Sequence, residues 1–276
     1  YMVGGQDTAF GAVDSLYGGD GNDYVVSRQT DAMLDGGVGA DTIAGASGAD
    51  TIFGGDGNDL LWVTFGNNVI YGDAGIDQIT GSAQAGGIDT LYGGDGDDIL
   101  ATRTASGLLS GDGGNDQLAG ASGADTLFGG LGDDSVWVSS GNNILRGDEG
   151  VDFIRTGTGA VAGTVDTVYG GAEGDNIASQ ANGTHALLSG DAGADTVVGA
   201  SGQDTLYGGD DDDQAWVDGG SNLLYGDAGN DSCLIPGFDG ADFSHEWKEA
   251  LWARFTTGAP RRQRQSVERY SIVKRA

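Results

Sequence analysis

Residues 18–26 read GGDGNDYVV, and this nine-residue pattern of glycines, an aspartate and three strand-forming residues decides the fold. The following blocks, in the same register, are SRQTDAMLD, GGVGADTIA, GASGADTIF, GGDGNDLLW, VTFGNNVIY and GDAGIDQIT. Their eighth position is aliphatic almost throughout, and only Ala215 and Cys233 weaken the column. The aliphatic residues of this column are Val25, Leu34, Ile43, Ile52, Leu61, Ile70, Ile79, Leu91, Leu100, Leu109, Leu118, Leu127, Val136, Leu145, Ile154, Val168, Ile177, Leu188, Val197, Leu206 and Leu224.

One inward side chain per block is too little apolar surface for a block to fold alone, so the blocks must stack and share a core. Because side chains alternate across a strand, position eight faces this core while positions seven and nine face outward. Glycine allows the turn that the first six residues of each block must make. The sequence therefore predicts an all-β solenoid of stacked repeats over residues 1–234.

A longer repeat lies over the short one. The stretch GASGADTIFGGDGNDLLWVTFGNNVIYGD begins at Gly45 and returns in altered form from Gly120 and from Gly199. The first three residues align with Phe153–Arg155, so we expect them to be a severed strand with further repeats before Tyr1. Residues 235–276 leave the repeat and become basic. Two interpretations of this tail stay open: an amphipathic helix from Phe243 to Phe255 that caps the roll, or foreign sequence.

Composition limits the possible partners. The 276 residues carry 42 acidic and 12 basic side chains, for a net charge of −30, which argues against nucleic acid and favours divalent cations. The single cysteine excludes a disulfide framework, and no apolar run is long enough to span a membrane.

Four blocks, GGDGNDYVV, GGDGNDLLW, GGDGDDILA and GGVGADTIA, fit the pattern G-G-x-G-x-D-x-U-x. They resemble the hemolysin-type, or repeats-in-toxin (RTX), calcium-binding nonapeptides, and the resemblance covers roughly residues 1–234. It implies a parallel β-roll with two nonapeptides per turn, three-residue strands and multiple Ca²⁺ ions held between the loops of successive turns. It also implies a bacterial protein that is secreted, by a type I pathway, to the extracellular space.

Calcium prefers six to eight oxygen ligands and accepts carboxylates together with backbone carbonyls. Without the ion, acidic loops stacked about 4.8 Å apart repel one another, so metal binding and folding are predicted to be one event. The expected carboxylate ligands occupy the third and sixth positions of the loops: Asp20, Asp23, Asp41, Asp56, Asp59, Asp77, Asp95, Asp98, Asp116, Asp134, Asp152, Asp175, Asp195, Asp210, Asp213 and Asp231. The expected carbonyl ligands are those of Gly19, Gly21, Gly37, Gly39, Gly55, Gly57, Gly94, Gly96, Gly130 and Gly132.

Alternate blocks lie on opposite edges of such a roll, and the two edges differ. Edge 1 consists of the loop at residues 18–23 and every second loop after it, and each of its hexapeptides ends in Asp. Edge 2 consists of the loops between them, where the same sixth position is occupied in three loops by Asn68, Asn143 and Asn222. A neutral amide can form hydrogen-bonded ladders without metal. We therefore predict that calcium lines edge 1 much more densely than edge 2.

The sequence favours a secreted calcium-binding repeat module with a structural role, and not an enzyme, since it contains no H-E-x-x-H, G-x-S-x-G or Walker motif. Two other classes stay open. The chain is the repeat module of a secreted protease, lipase or alginate epimerase whose catalytic domain is absent, or it is a surface adhesin that binds glycans.

Aromatic residues recur at position nine. Phe53 and Tyr71 are expected to stack on one outer face, as are Tyr207 and Tyr225, while tryptophans recur once per long repeat on the other face, at Trp62, Trp137 and Trp216. This stripe predicts a stabilising aromatic ladder, with glycans or a partner protein as the alternative use.

Overall fold

The computed structural model describes residues 2–3, 14–28, 31–83, 87–103, 106–157, 164–180, 185–234 and 271–272. These residues form two 13-stranded parallel sheets, and the chain passes from one sheet to the other after every strand up to residue 234. The fold is thus the predicted parallel β-solenoid with two blocks per turn. None of the described residues forms a helix long and apolar enough to cross a bilayer.

Sheet A contains the odd-numbered strands. They are β1 Met2–Val3, β3 Tyr24–Val26, β5 Thr42–Gly45, β7 Leu60–Val63, β9 Gln78–Thr80, β11 Ile99–Ala101, β13 Gln117–Ser122, β15 Ser135–Ser140, β17 Phe153–Arg155, β19 Asn176–Ala178, β21 Thr196–Gly202, β23 Gln214–Gly220 and β25 Ser232–Leu234.

Sheet B contains the even-numbered strands. They are β2 Asp14–Asp20, β4 Ala32–Val38, β6 Thr51–Asp56, β8 Val69–Ala74, β10 Ile88–Asp95, β12 Ser106–Gly113, β14 Thr126–Leu131, β16 Ile144–Glu149, β18 Val165–Ala172, β20 His185–Ala192, β22 Thr205–Asp210, β24 Leu223–Ala228 and β26 Ser271–Ile272.

The predicted core lies between the two sheets. Every aliphatic residue of the eighth-position column is at most 2 % exposed, and Cys233 packs against the cluster from its margin. Burial of such a side chain contributes about 1.5–3 kcal/mol relative to exposure. Flanking residues at position seven, such as Leu60 and Ile99, are exposed at 42 % and 40 %. The predicted alternation of buried and exposed side chains along each strand is therefore confirmed.

The expectation of three-residue strands is wrong for β13, β15, β21 and β23 of sheet A, which have six or seven residues. It is also wrong for sheet B, whose interior strands run for six to eight residues. They extend into the first half of the edge-1 loop, where Gly55 pairs with Asp73 and Asp56 with Ala74. The loops of successive turns superpose in register, and for that reason their backbone continues the ladder that the strands begin. Edge 1 is consequently built from ordered, hydrogen-bonded loops.

Half-buried aromatic side chains form the predicted ladder on sheet B. The rings of Phe53 and Tyr71 stack at 5.1 Å, those of Tyr71 and Tyr92 at 5.0 Å, and those of Tyr207 and Tyr225 at 4.7 Å. Neighbouring strands place equivalent side chains about 4.8 Å apart, which is also a favourable separation for parallel rings. The ladder therefore follows directly from the repeat.

The tail meets the roll at one described point. Ser271–Ile272 pairs in parallel with Leu223 and Leu224 of β24, next to the last turn. The helix expected between Phe243 and Phe255 lies outside the described residues. Its role as a cap stays a prediction.

Candidate metal centre

The sixth-position aspartates of edge 1 form a continuous buried row inside the loops. Position six points inward because it lies two residues before the core position of the following strand. One carboxylate oxygen, Oδ1, accepts a hydrogen bond from the backbone N–H of the equivalent aspartate in the preceding turn. Asp41 N–H donates to Asp59 at 2.7 Å, and Asp59 N–H donates to Asp77 at 2.8 Å. The bond repeats along the edge at Asp23, Asp77, Asp98, Asp116, Asp134, Asp152, Asp175, Asp195 and Asp213, each as the donor.

The second carboxylate oxygen, Oδ2, is buried in this row, and among the described residues it has no hydrogen-bond partner. This holds for Asp41, Asp59, Asp77, Asp98, Asp116, Asp134, Asp152, Asp175, Asp195 and Asp213. Buried polar atoms are nearly always bonded in folded proteins, so a regular row of orphaned acceptors indicates a missing ligand. Since each orphan is an anionic oxygen, that ligand must be positively charged or a donor.

First-position glycines form the opposite wall of the space beside each orphan. A β-carbon built on Gly54 would lie 2.5 Å from the carbonyl oxygen of Gly72 in the next turn and in collision with Oδ2 of Asp59. The same pair of oxygens, one carboxylate and one carbonyl of the next turn, surrounds nine equivalent glycines: Gly36, Gly72, Gly93, Gly111, Gly129, Gly147, Gly170, Gly190 and Gly208. We call this space the cradle. The absence of a side chain at position one keeps it open.

The electrostatics of the row favour a bound cation. Burial raises the pKa of Asp77 and of Asp98 to about 7 and that of Asp175 to about 8. The backbone N–H that each accepts lowers the pKa, and the carboxylates of neighbouring turns raise it again. The charged row is therefore unfavourable without a compensating positive charge.

A hard divalent cation fits this donor set. The cradle offers a carboxylate oxygen and a backbone carbonyl, the two ligand types that Ca²⁺ combines, and it recurs at the turn spacing. Across the described residues, no three His, Cys, Asp or Glu side chains cluster as a metal group. This is expected where carbonyl oxygens supply part of the shell.

The structure distributes the predicted site residues over two environments. The sixth-position aspartates are brought together in the buried row, whereas the third-position side chains of Asp20, Asp56, Asp95 and Asp210 are exposed. Direct ligation by these four side chains stays a prediction. Their backbone helps to build the loop, since the carbonyl of Asp56 accepts the N–H of Gly39 at 2.7 Å.

The predicted carbonyl ligands at positions two and four line the contact between loops. A β-carbon on Gly55 (φ 103°) or Gly57 (φ 131°) would collide with the carbonyl oxygens of Gly37 and Gly39 in the preceding turn. Gly94, Gly96, Gly130 and Gly132 meet the preceding carbonyls in the same way. These glycines therefore permit the close stacking of loops. Sequence reasoning missed the first-position carbonyls, for which the only signal was glycine at the start of every edge-1 block.

Sequence reasoning also missed a set of acidic residues whose backbone adopts the left-handed conformation. The described non-glycine residues with positive φ are all acidic and all lie on edge 1: Asp73, Asp112, Asp148, Glu173, Asp191, Asp211 and Asp227. Aspartate tolerates this conformation better than most residues, because its short side chain bonds locally. Two of them accept a serine hydroxyl from the same turn, Ser110 to Asp112 at 2.6 Å and Ser189 to Asp191 at 2.5 Å.

Edge 2 carries a different column, in which asparagine side chains alternate with aspartates whose Oδ2 is buried and without a partner among the described residues, at Asp50, Asp125 and Asp204. Asp50 N–H donates to Oδ1 of Asn68 at 2.9 Å, and Nδ2 of Asn68 donates to Oδ1 of Asp89 at 2.8 Å. The second oxygen of Asp89 accepts the N–H of Ser82 at 2.6 Å. The predicted asparagine ladder is thus confirmed at Asn68, and Asn143 repeats it with Asp166.

Comparison with known families decides the identity of the repeat. The model of the RTX calcium-binding nonapeptide repeat matches residues 11–29, 35–70, 62–85, 85–103, 110–145, 128–160, 189–224 and 207–233, which together span well over half of the chain. The chain belongs to the RTX calcium-binding nonapeptide repeat family. No curated protein matches it.

RTX repeats bind Ca²⁺ as a family property and are typical of secreted bacterial proteins. The cradles of edge 1 agree with that property on structural grounds, because their orphaned carboxylates and free carbonyl oxygens suit the ion. In this RTX roll, the residues that would hold calcium are the sixth-position aspartates and the first-position glycine carbonyls of edge 1.

Proposed function

We propose that this RTX segment is a calcium-dependent structural module, which stays unfolded at the low calcium level of a bacterial cytosol and folds after type I secretion. The row of orphaned Oδ2 atoms carries the proposal. Each lies inside a turn that cannot relieve its charge from within, and a bound calcium ion supplies the missing positive charge.

The roles of the residues follow from the geometry. Oδ1 of each sixth-position aspartate fixes the register by accepting an N–H from the preceding turn, and this leaves Oδ2 directed into the cradle. The first-position glycine leaves room for the ion and offers its carbonyl to the preceding turn. Calcium sites in extracellular modules have dissociation constants of about 10⁻⁴–10⁻³ M, which suits filling outside the cell and release inside it.

A binding and structural role, and not catalysis, is proposed for the repeats themselves. The described histidine, His185, begins β20, and its charge opposes the burial that raises the pKa of Asp204 to about 6. Burial raises the pKa of Cys233 to about 11, which disfavours the thiolate that a nucleophile requires. Both residues suit structural positions.

Circular dichroism of the full chain tests the proposal. In excess chelator at pH 8 the spectrum should be that of a largely disordered chain, and millimolar Ca²⁺ should produce β-structure cooperatively. Magnesium should be a poor substitute, since it demands a tighter octahedral shell and releases water reluctantly. Limited proteolysis across the same titration should show protection appearing with the β signal. A full β spectrum in chelator at pH 8 would refute calcium-dependent folding.

A further inference from the structure

We propose that calcium binds along edge 1 only, and that edge 2 is closed to the ion by three valine side chains and by internal hydrogen bonds. This inference rests on the proposed function and specifies which loops of the roll contain a cradle for the ion. It makes the roll two-sided, because the orphaned Oδ2 atoms of edge 1 face a carbonyl oxygen of the next turn, whereas those of Asp50, Asp125 and Asp204 on edge 2 face a valine methyl group.

The valines stand at the first position of edge-2 loops, where edge 1 has glycine. They are Val63, Val138 and Val217, which pair with Gly45, Gly120 and Gly199 of the preceding turn and are at most 3 % exposed. A β-carbon built on Gly120 would lie 2.8 Å from Oδ2 of Asp125 and 2.8 Å from a methyl carbon of Val138. The valine methyl thus lies where edge 1 presents a carbonyl oxygen.

The same substitution recurs in all three long repeats. The corresponding methyl distance is 3.0 Å for Val63 at Gly45 and 2.9 Å for Val217 at Gly199. A calcium ion needs oxygen on all sides at about 2.3–2.6 Å, and a methyl group in the shell both excludes the ion and supplies no ligand. The valine is therefore a constant feature of the long repeat, although other residues of the stretch differ between its copies.

Hydrogen bonds close two further first positions of edge 2. The hydroxyl of Ser27 accepts the N–H of Ala46 at 3.0 Å, and that of Thr102 accepts the N–H of Ala121 at 2.9 Å. Both side chains are buried. These hydroxyls satisfy the backbone from within, as no first-position glycine on edge 1 can do.

The sixth-position column of edge 2 is too weakly charged for a shared ion. In register with Asp50, the neighbouring positions are Ala32 and Asn68, and in register with Asp125 they are Gly107 and Asn143. Each of these aspartates therefore stands between two uncharged residues. Calcium sites of high occupancy combine several carboxylates, which this edge does not bring together.

Loop length supports the same division. On edge 2 the cross-turn bond spans 21 residues from Asn68 to Asp89 and 23 from Asn143 to Asp166, because the loops at residues 81–89 and 156–166 are longer than six residues. Every edge-1 hexapeptide keeps its six residues. An edge that must hold ligands at fixed spacing excludes insertions, whereas an edge without ions tolerates them.

Matched substitutions nine residues apart test the inference in the full chain. Asp134→Asn on edge 1 and Asp125→Asn on edge 2 each remove one charge, and asparagine keeps the Oδ1 acceptor that binds the N–H of Asp116 or Gly107. Bound calcium is counted by equilibrium dialysis with atomic emission. Asp134→Asn should lose at least one ion per chain and raise the calcium midpoint, while Asp125→Asn should keep the parental count and midpoint.

A gain-of-site variant tests the valine directly. Val138→Gly combined with Asn143→Asp restores the edge-1 pattern at that turn and should add at least one calcium ion per chain. Loss of as many ions from Asp125→Asn as from Asp134→Asn would overturn the one-edge assignment, and a folded double variant with the parental count would overturn the role of Val138. If the double variant does not fold, the matched aspartate pair still decides. A parent chain that binds no calcium would instead overturn the proposed function.

Discussion

Replacing Asp98 by asparagine should change stability in opposite directions with and without calcium. Oδ1 of Asp98 accepts the N–H of Asp77 at 2.7 Å, and an amide oxygen retains that bond. The amide nitrogen then replaces the orphaned Oδ2 beside the carbonyl of Gly111, an acceptor that a carboxylate oxygen cannot use. The substitution therefore removes one calcium ligand, and at the same time it replaces an unbonded buried oxygen with an amide that can donate a hydrogen bond.

The expected magnitudes follow from the turn spacing. At calcium concentrations of about 100 times the dissociation constant, one site contributes about 2.7 kcal/mol, so losing the site should lower the free energy of unfolding by about that amount. In chelator, Asp98 lies between Asp77 and Asp116 at a turn spacing of about 4.8 Å. Each neighbour contributes about 3.5 kcal/mol of repulsion at an effective dielectric constant of about 20, so removing the charge should raise the free energy of unfolding by on the order of 3–7 kcal/mol.

Two titrations followed by circular dichroism measure both effects. A calcium titration at pH 8 should show a higher midpoint for Asp98→Asn than for the parent. A titration with trimethylamine N-oxide in chelator, which promotes compact states by exclusion from the protein surface, should show a lower midpoint. Asp97→Asn is the control, because Asp97 is exposed in the same loop and its Oδ1 bond to the N–H of Asn115 also survives the change. Shifts of the same sign in both titrations would refute the reasoning.

The remaining predictions concern protons, the core and the aromatic ladder. Burial raises the pKa of Asp59 to about 6 and that of Asp77 to about 7, so the folded metal-free chain binds more protons than the unfolded chain. The stability of the metal-free fold should therefore be greatest near pH 4 and be lost as the pH rises to 8. Circular dichroism in chelator should show more β-structure at pH 5 than at pH 8. Leu100→Ala deletes a fully buried side chain and should lower the free energy of unfolding in calcium by about 2–5 kcal/mol, measured by urea denaturation, with an unchanged midpoint contradicting the assigned core. Tyr71→Ala removes two ring stacks and should cost about 1–3 kcal/mol in the same assay, whereas Tyr17→Ala, at an exposed position, should cost less.

Much of this fold was determined by sequence, because the period of the repeat is also the period of the structure. Placing Leu100 and its equivalents at every eighth position is enough to predict two faces, a shared core and stacking, since no block can bury its apolar side chain alone. The stack of Phe53 on Tyr71 and the amide ladder at Asn68 follow from the same register. The family pattern at residues 18–26 predicted calcium as the bound ion and the loop aspartates as its ligands.

The tertiary structure decided which atoms of those residues face a cation. Oδ1 of Asp59 is occupied by an N–H that lies 18 residues away in sequence, and only this leaves Oδ2 orphaned. The carbonyl that completes the cradle belongs to Gly72 in the next turn, which no pattern within one block can reveal. Val138 is likewise an ordinary strand residue in sequence, and its methyl group closes a site only because Gly120 of the preceding turn stacks against it. The ligand set is a contact between turns, so it exists only once the chain has wound.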